Sequence, residues 1–177
     1  MYHEGIAVKQ DDFKKFEWFQ KSANQGDSDA QYRIGIMYYE GSGVEQDYQK
    51  AMQWYLLAAN NGSFDAQNNI GNFYEHGYGV TQNYDKAFEW YIKAADQGLD
   101  VAQLNIGGLY ENGYGVPQDY DKAFEWYQKA ADQGNQEASN RIGKLVMNGK
   151  IDDKDITIFS TQETGLTLGD LEDSSEN

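Results

Sequence analysis

No cysteine occurs anywhere in the chain, which removes disulfide frameworks, thiolate zinc sites and cysteine nucleophiles together. Positive charge is scarce. In 177 residues, 14 Lys+Arg stand against 29 Asp+Glu, a formal net charge of −15. Nucleic-acid phosphates and anionic membranes would repel such a surface, so neither is expected as a partner. No apolar run approaches the ~20 residues that a membrane-spanning helix needs. The opening Met1-Tyr2-His3-Glu4 lacks the basic start and apolar stretch of a signal peptide, and a cytoplasmic location is expected. Histidine is limited to His3 and His76, and neither has the carboxylate spacing of a zinc site. Proline occurs once, against 19 glycines, 14 tyrosines and four tryptophans, an odd mixture for a single ordinary domain.

Self-similarity accounts for that mixture. Ala30, Ala66, Ala102 and Ala138 are each 36 residues apart, as are Gly35, Gly71, Gly107 and Gly143. Gly41, Gly77, Gly113 and Gly149 keep the same period, and so do Trp18, Trp54, Trp90 and Trp126. Segments 66–101 and 102–137 agree at 26 of 36 positions without a gap.

Each unit reads as two helices joined by glycine turns. Ala30, Ile34 and Tyr38 fall on one helical face. Asp27, Ser63 and Asn135 can cap this first helix, whereas Leu99, in the same column, cannot. A second helix begins near Asp47, Asn83, Asp119 and Asp11, all good N-cap residues. It is expected to bury Ala51, Trp54, Tyr55, Ala58 and Ala59 and to stop at Gly62, which tolerates positive φ. Glu17/Lys21, Glu89/Lys93 and Glu125/Lys129 are i,i+4 pairs worth ~0.2–0.5 kcal/mol each. Helices are thus expected near 11–25, 28–40, 47–61, 64–76, 83–97, 100–112, 119–133 and 136–148.

Glycine inside a helix costs about 0.5–1 kcal/mol relative to alanine. Its recurrence at Gly35, Gly71, Gly107 and Gly143 implies a recurring benefit, most simply close approach of two helix backbones. Alanines 51/87/123, 58/94/130 and 59/95/131 supply small partners, with the aromatics at 54/55, 90/91 and 126/127 between units. One such hairpin cannot cover its own apolar face, so the units must stack into a solenoid.

The run Gly113-Tyr114-Gly115-Val116-Pro117-Gln118-Asp119-Tyr120-Asp121-Lys122-Ala123-Phe124-Glu125-Trp126-Tyr127-Gln128-Lys129-Ala130-Ala131-Asp132-Gln133-Gly134 resembles the Sel-one-like repeat (SLR), a longer relative of the tetratricopeptide repeat (TPR). The resemblance covers about residues 2–149. It implies an all-α, right-handed α-solenoid of 36-residue helix-turn-helix, TPR-like repeats. The expected organisation is a solenoid over 1–149: a partial first repeat, full repeats 30–65, 66–101 and 102–137, and a partial last repeat 138–149. Residues 151–177 leave the pattern and carry eight acids against one lysine. This acidic tail is either disordered or a partial cap in which Ile156, Ile158 and Phe159 cover the last repeat.

Candidate chemistry is thin. The Gly-Tyr-Gly-Val segments lack the preceding strand and third glycine of a phosphate loop. Asp152-Asp153-Lys154-Asp155 lacks the spacing and closing glutamate of a calcium loop. Asn61-Gly62-Ser63 fits a glycosylation sequon that stays idle without secretion. His76 reads as an exposed helix-end residue. No catalytic residue, cofactor or metal ligand is therefore assigned.

Packing fixes the columns that recur, so function belongs where the units differ on a shared surface. In the TPR-like arrangement that the resemblance implies, the first helices line the concave side. Carrying over the TPR groove positions gives Tyr32, Asn68, Leu104 and Asn140, then Arg33, Asn69, Asn105 and Arg141. A third column is Ile36, Asn72, Gly108 and Lys144. Amides there offer donors and acceptors to the backbone of an extended peptide; the alternative is that they are solvated or bonded within the repeats. Asp29, Asp65, Glu75, Glu111 and Glu137 rim the same surface, so a polar to basic protein or peptide partner is expected. Paired basic residues for a C-terminal carboxylate are not assembled.

The resulting expectation is a non-enzymatic, partner-binding adaptor or scaffold. The resemblance also admits a β-lactam-binding or hydrolytic enzyme, as in cysteine-rich relatives, whose cysteines this chain lacks. A regulatory fragment of a larger kinase or cell-wall-synthesis activator is a further alternative. At the N-terminal edge, Phe13, Phe16, Trp18 and Phe19 belong to a second helix whose own first helix is mostly missing. Self-association through this edge is expected to follow.

Overall fold

The computed structural model describes residues 10–151. Among these there are eight helices and no strand: α1 Gln10–Ala23, α2 Ser28–Glu40, α3 Tyr48–Asn60, α4 Phe64–His76, α5 Tyr84–Ala95, α6 Asp100–Asn112, α7 Tyr120–Asp132 and α8 Gln136–Met147. Each packs on its neighbours in chain order, giving an all-α solenoid. The helices α2, α4, α6 and α8 are first helices; α1, α3, α5 and α7 are second helices. Residues 152–177, with Ile156, Ile158 and Phe159, lie outside the described residues, as do His3 and residues 1–9.

The caps follow the sequence column by column. Asp27 accepts from the Asp29 and Ala30 amides, Ser63 from Ala66 and Asn135 from Ala138, whereas Leu99 caps nothing. Asp47, Asn83 and Asp119 accept from the backbone N–H groups of Lys50, Lys86 and Lys122 at 2.9, 2.9 and 3.0 Å. Asp11 departs from its column. Helix α1 already begins at Gln10, so Asp11 sits in its first turn, where an acid suits the helix dipole.

Two glycines per turn set the stacking. Gly77 ends α4 with φ 75° and donates its N–H to the Phe73 carbonyl. Two residues on, Gly79 (φ +65°) lies against the start of α3 in the preceding unit. A Cβ there would come within 2.9 Å of the Tyr48 Cβ. Beside it, Tyr78 stacks on Tyr48 at 5.2 Å, and one unit later Tyr114 stacks on Tyr84 at 4.7 Å.

The core is a row of clusters in register with the repeat, such as Ala51, Met52, Tyr55, Ala58, Ala59, Ala66, Ile70 and Phe73. Trp54, Trp90 and Trp126 pack against clusters shared by the second helix of the preceding unit and the first helix of their own. They are half-buried rather than core residues. Lys93 and Lys129 explain this, lying over the Trp90 and Trp126 rings at 3.8 and 4.0 Å. The ion pairs expected at 89/93 and 125/129 are accordingly not among those formed by the described residues, and neither is the one at 17/21, where no ring contact of Lys21 accounts for it. A desolvated ring face attracts the ammonium at least as well as an exposed carboxylate does.

The helical glycines also meet something other than a helix backbone. A Cβ on Gly35, Gly71 or Gly107 would press into the ring of Tyr55, Tyr91 or Tyr127, while Gly143 has nothing within 4 Å. One further column was not read from the sequence. The side-chain amides of Asn61, Gln97 and Gln133 donate to Gln31, Gln67 and Gln103 at 2.9, 2.7 and 2.8 Å, tying the end of each second helix to the first helix of its own unit.

Candidate partner-binding groove

The first helices are joined across units by polar contacts. The Asn105 amide in α6 donates to the Asn68 oxygen in α4 at 3.0 Å. Between α6 and α8, Asn135 donates to Asp100 at 2.8 Å, and Arg141 meets Glu111 at 3.7 Å. These contacts bring α4, α6 and α8 side by side.

The expected residues divide into two groups. In the first, Tyr32 is half-buried with its ring 5.9 Å from that of Tyr55, and the Asn69 side chain reaches both hydroxyls. Burial pushes both tyrosines above their ordinary pKa, so both stay protonated at neutral pH. Arg33 pairs with Asp29 at 2.8 Å and lies 5.7 Å from the centre of the Phe19 ring. These side chains are largely engaged within the fold.

The second group surrounds an open cleft of about 190 Å³ between α4, α6, α7 and α8. Its lining includes Leu104, Asn105 and Arg141 from the expected set, together with Glu75, Gly108, Asn112 and Tyr127. Asn140 and Lys144 are exposed farther along α8. Asn68 and Asn72 connect the groups, Asn68 through Asn105 and Asn72 through the Tyr91 hydroxyl. Tyr127 had the look of a pure core residue, because its column is buried. What reveals it is the column Asn72/Gly108, where one side chain disappears and the tyrosine below becomes part of a wall.

Charge on this face is negative but partly neutralised. Tyr91 donates to Glu75 at 2.6 Å, and Tyr127 donates to Glu111 at 2.5 Å. Burial, and then the adjoining carboxylate, hold both hydroxyls well above the usual tyrosine range. Arg141 pairs with Glu137 at 2.9 Å and holds that carboxyl below its ordinary value. Burial, then Asp29, raise Asp65, the expected response of an acid among acids. His76 is exposed, with Nδ1 3.0 Å from the Asn72 carbonyl and its ring stacked on Tyr78. No group of three or more metal-ligating side chains occurs among the described residues, and none of the helices described is long and apolar enough to cross a membrane.

Comparison with known proteins gives a consistent picture. A family model described as Sel1 repeat matches residues 1–27, 28–63, 64–99 and 100–135. A protective antigen present in uropathogenic Escherichia coli strains, displaying an SLR fold, is 38% identical with a TM-score of 0.74 over 87% of this chain. A Sel1 repeat protein from Oxalobacter formigenes is 39% identical with a TM-score of 0.72 over 82% of this chain. The matched regions are 33% and 59% of those two proteins, so this chain spans only part of their length. Helicobacter pylori cysteine rich protein B shares the fold at 24% identity and a TM-score of 0.60, over 77% of this chain and 98% of that one. No curated protein matches the chain.

Proposed function

The chain belongs to the Sel1 repeat family, and from that premise we propose that it is a non-enzymatic adaptor whose first-helix face holds an extended polypeptide segment. Proteins of this family are generally protein-interaction scaffolds. The observation that carries the reading is the cleft among α4, α6, α7 and α8, whose lining includes three positions where this repeat departs from the one before it, Leu104, Gly108 and Asn112. The groove consists of Asn68, Asn72, Leu104, Asn105, Asn140, Arg141 and Lys144, with Tyr32, Arg33 and Asn69 extending it along α2 and α4. The partner is polar to basic, because Glu75 and Asp65 leave the face acidic while its arginines are already paired with Asp29, Glu111 and Glu137. The N-terminal edge, where Trp18 is 79% exposed, is a second contact surface, open to another copy of the chain.

The hydrolytic alternative gains nothing from the Helicobacter protein, whose likeness is one of fold. The greater length of the two bacterial relatives favours a second reading, that the chain acts as the interaction module of a longer protein. Both scaffold readings are tested by chemical-shift mapping of a co-purified partner. Perturbations on α4, α6 and α8 support the groove, and perturbations confined to the second helices refute it.

A further inference from the structure

Within that proposed groove, one position differs from its counterpart a repeat earlier in a way that creates space. Asn72 carries an amide that reaches the Tyr91 hydroxyl. The equivalent residue is Gly108, where a Cβ would have only the Tyr127 hydroxyl, 3.8 Å away, as a neighbour. The cleft opens where the amide is missing. At about 190 Å³ it falls below the ~300–1,000 Å³ of small-molecule sites, a size suited to one side chain of a bound polypeptide.

The lining specifies which one. Asn105 donates through its amide nitrogen to Asn68, and Asn112 donates through its own to the Gly108 carbonyl at 2.7 Å. With one N–H of each amide engaged in this way, the two side-chain oxygens are left as acceptors beside a second N–H. The Glu75 carboxylate accepts from Tyr91 at 2.6 Å and is in none of the ion pairs formed by the described residues. Arg141 lines the cleft, yet it is shared between Glu111 and Glu137. The charged residues lining the cleft are thus Glu75, which has no cation among the described residues, and Arg141, which is held by two carboxylates outside the lining, Glu111 and Glu137. With Lys144 farther along α8, the surroundings keep one negative charge in excess. Leu104 supplies an apolar wall.

The geometry points to an arginine side chain of the partner as the occupant of this cleft. Its methylenes lie along Leu104, and its planar, five-donor guanidinium meets the oxygens of Glu75, Asn105 and Asn112. The assignment rests on the adaptor reading, because it needs a polypeptide on the first-helix face. It gives that reading a sequence requirement: an arginine at one fixed position of the bound segment.

The probe is an array of extended Ser/Ala peptides whose central residue is varied through all common amino acids and citrulline, presented to the full chain. Arginine is expected to be preferred at least fivefold over citrulline and lysine, with aspartate and glutamate excluded. Glu75→Gln, which still accepts from Tyr91, is expected to reduce that preference at least threefold. Gly108→Leu, which fills the cleft, is expected to abolish it, and the amide signal of Gly108 in the parent should shift on titration with the arginine peptide. Equal binding of the citrulline or lysine peptide, or an unchanged preference in Glu75→Gln, overturns the assignment while the adaptor reading stands. Failure of every peptide in the array to bind counts against both.

Discussion

Tyr127 of α7 lies so close to Gly107 of α6 that a Cβ on the glycine would fall within 3.1 Å of the tyrosine Cγ and nearer still to two other ring carbons. The same fit recurs between Tyr91 and Gly71, and between Tyr55 and Gly35. It joins the two helices of each hairpin and places the tyrosine hydroxyl at the edge of the groove. The glycine thus serves both packing and function: the ring it admits is also the wall of the cleft and the donor to Glu111.

Overpacking at these sites is expected to lower stability. Gly71→Leu and Gly107→Leu should each cost about 1–3 kcal/mol, because a buried ring must move. Gly143→Ala should be neutral or stabilising by up to ~1 kcal/mol, since nothing lies within 4 Å of it and the unfolded chain loses freedom. Thermal melts of the three variants provide the check. Parent-like melting in both leucine variants would mean that the ring contact contributes nothing.

The fold was legible because the repeat supplies several copies of each local signal, so that a broken one, such as Leu99 in the cap column, does not hide the pattern. Caps at Asp27, Ser63, Asp47, Asn83 and Asp119, and the stop at Gly77, are decided by residues a few positions apart. What the helical glycines contact was not legible. Glycine in a helix announces a close neighbour without saying whether it is a backbone or a ring, and only the packing identifies Tyr127. The lysines were misjudged for a similar reason. An i,i+4 glutamate is visible in sequence, but the accessible face of Trp90 three residues before Lys93 depends on how its unit packs on the one before it. Of the expected groove residues, Leu104, Asn105 and Arg141 line the cleft, which also includes Asn112 and Tyr127, whose own columns give no hint of it.

That competition for the lysines can be measured. Glu89→Ala should change stability very little, whereas Lys93→Ala should lose about 0.5–1 kcal/mol through the ring contact. A double-mutant cycle between Lys93 and Trp90, with Phe or Leu replacing the tryptophan, should return a coupling of that size. Coupling between Lys93 and Glu89 instead would restore the ion-pair account.

The caps carry an acid response of known sign. The Lys50 amide holds Asp47, and the Lys122 amide holds Asp119, below the ordinary carboxylate value. A group lowered in this way contributes stability above its unfolded pKa of about 3.9, and the contribution is lost as pH falls through the folded value. Asn83 makes the same bond without titrating. Melting of Asp47→Asn/Asp119→Asn between pH 5 and pH 2 should therefore fall less steeply than that of the parent. Asn83→Asp should fall more steeply. Identical slopes in all three would show that the caps do not contribute to acid sensitivity.

The last expectation concerns the N-terminal edge. Trp54, Trp90 and Trp126 each rest on a cluster formed by the preceding second helix and the first helix of their own unit, and are half-buried. Trp18 occupies the same column but is 79% exposed, with Phe13 beside it at 49%, while Phe16 is buried. Among the described residues, Trp18 has no cluster like those that receive its three counterparts. Apolar surface of that kind favours association, and an adjoining copy offers it the same type of contact. Sedimentation over a range of concentrations should show self-association that weakens in Trp18→Glu. The thermal melt of that variant at low concentration should match the parent, because the ring contributes little to the single chain. A monomer at every concentration, unchanged by the substitution, would remove this edge as a contact surface.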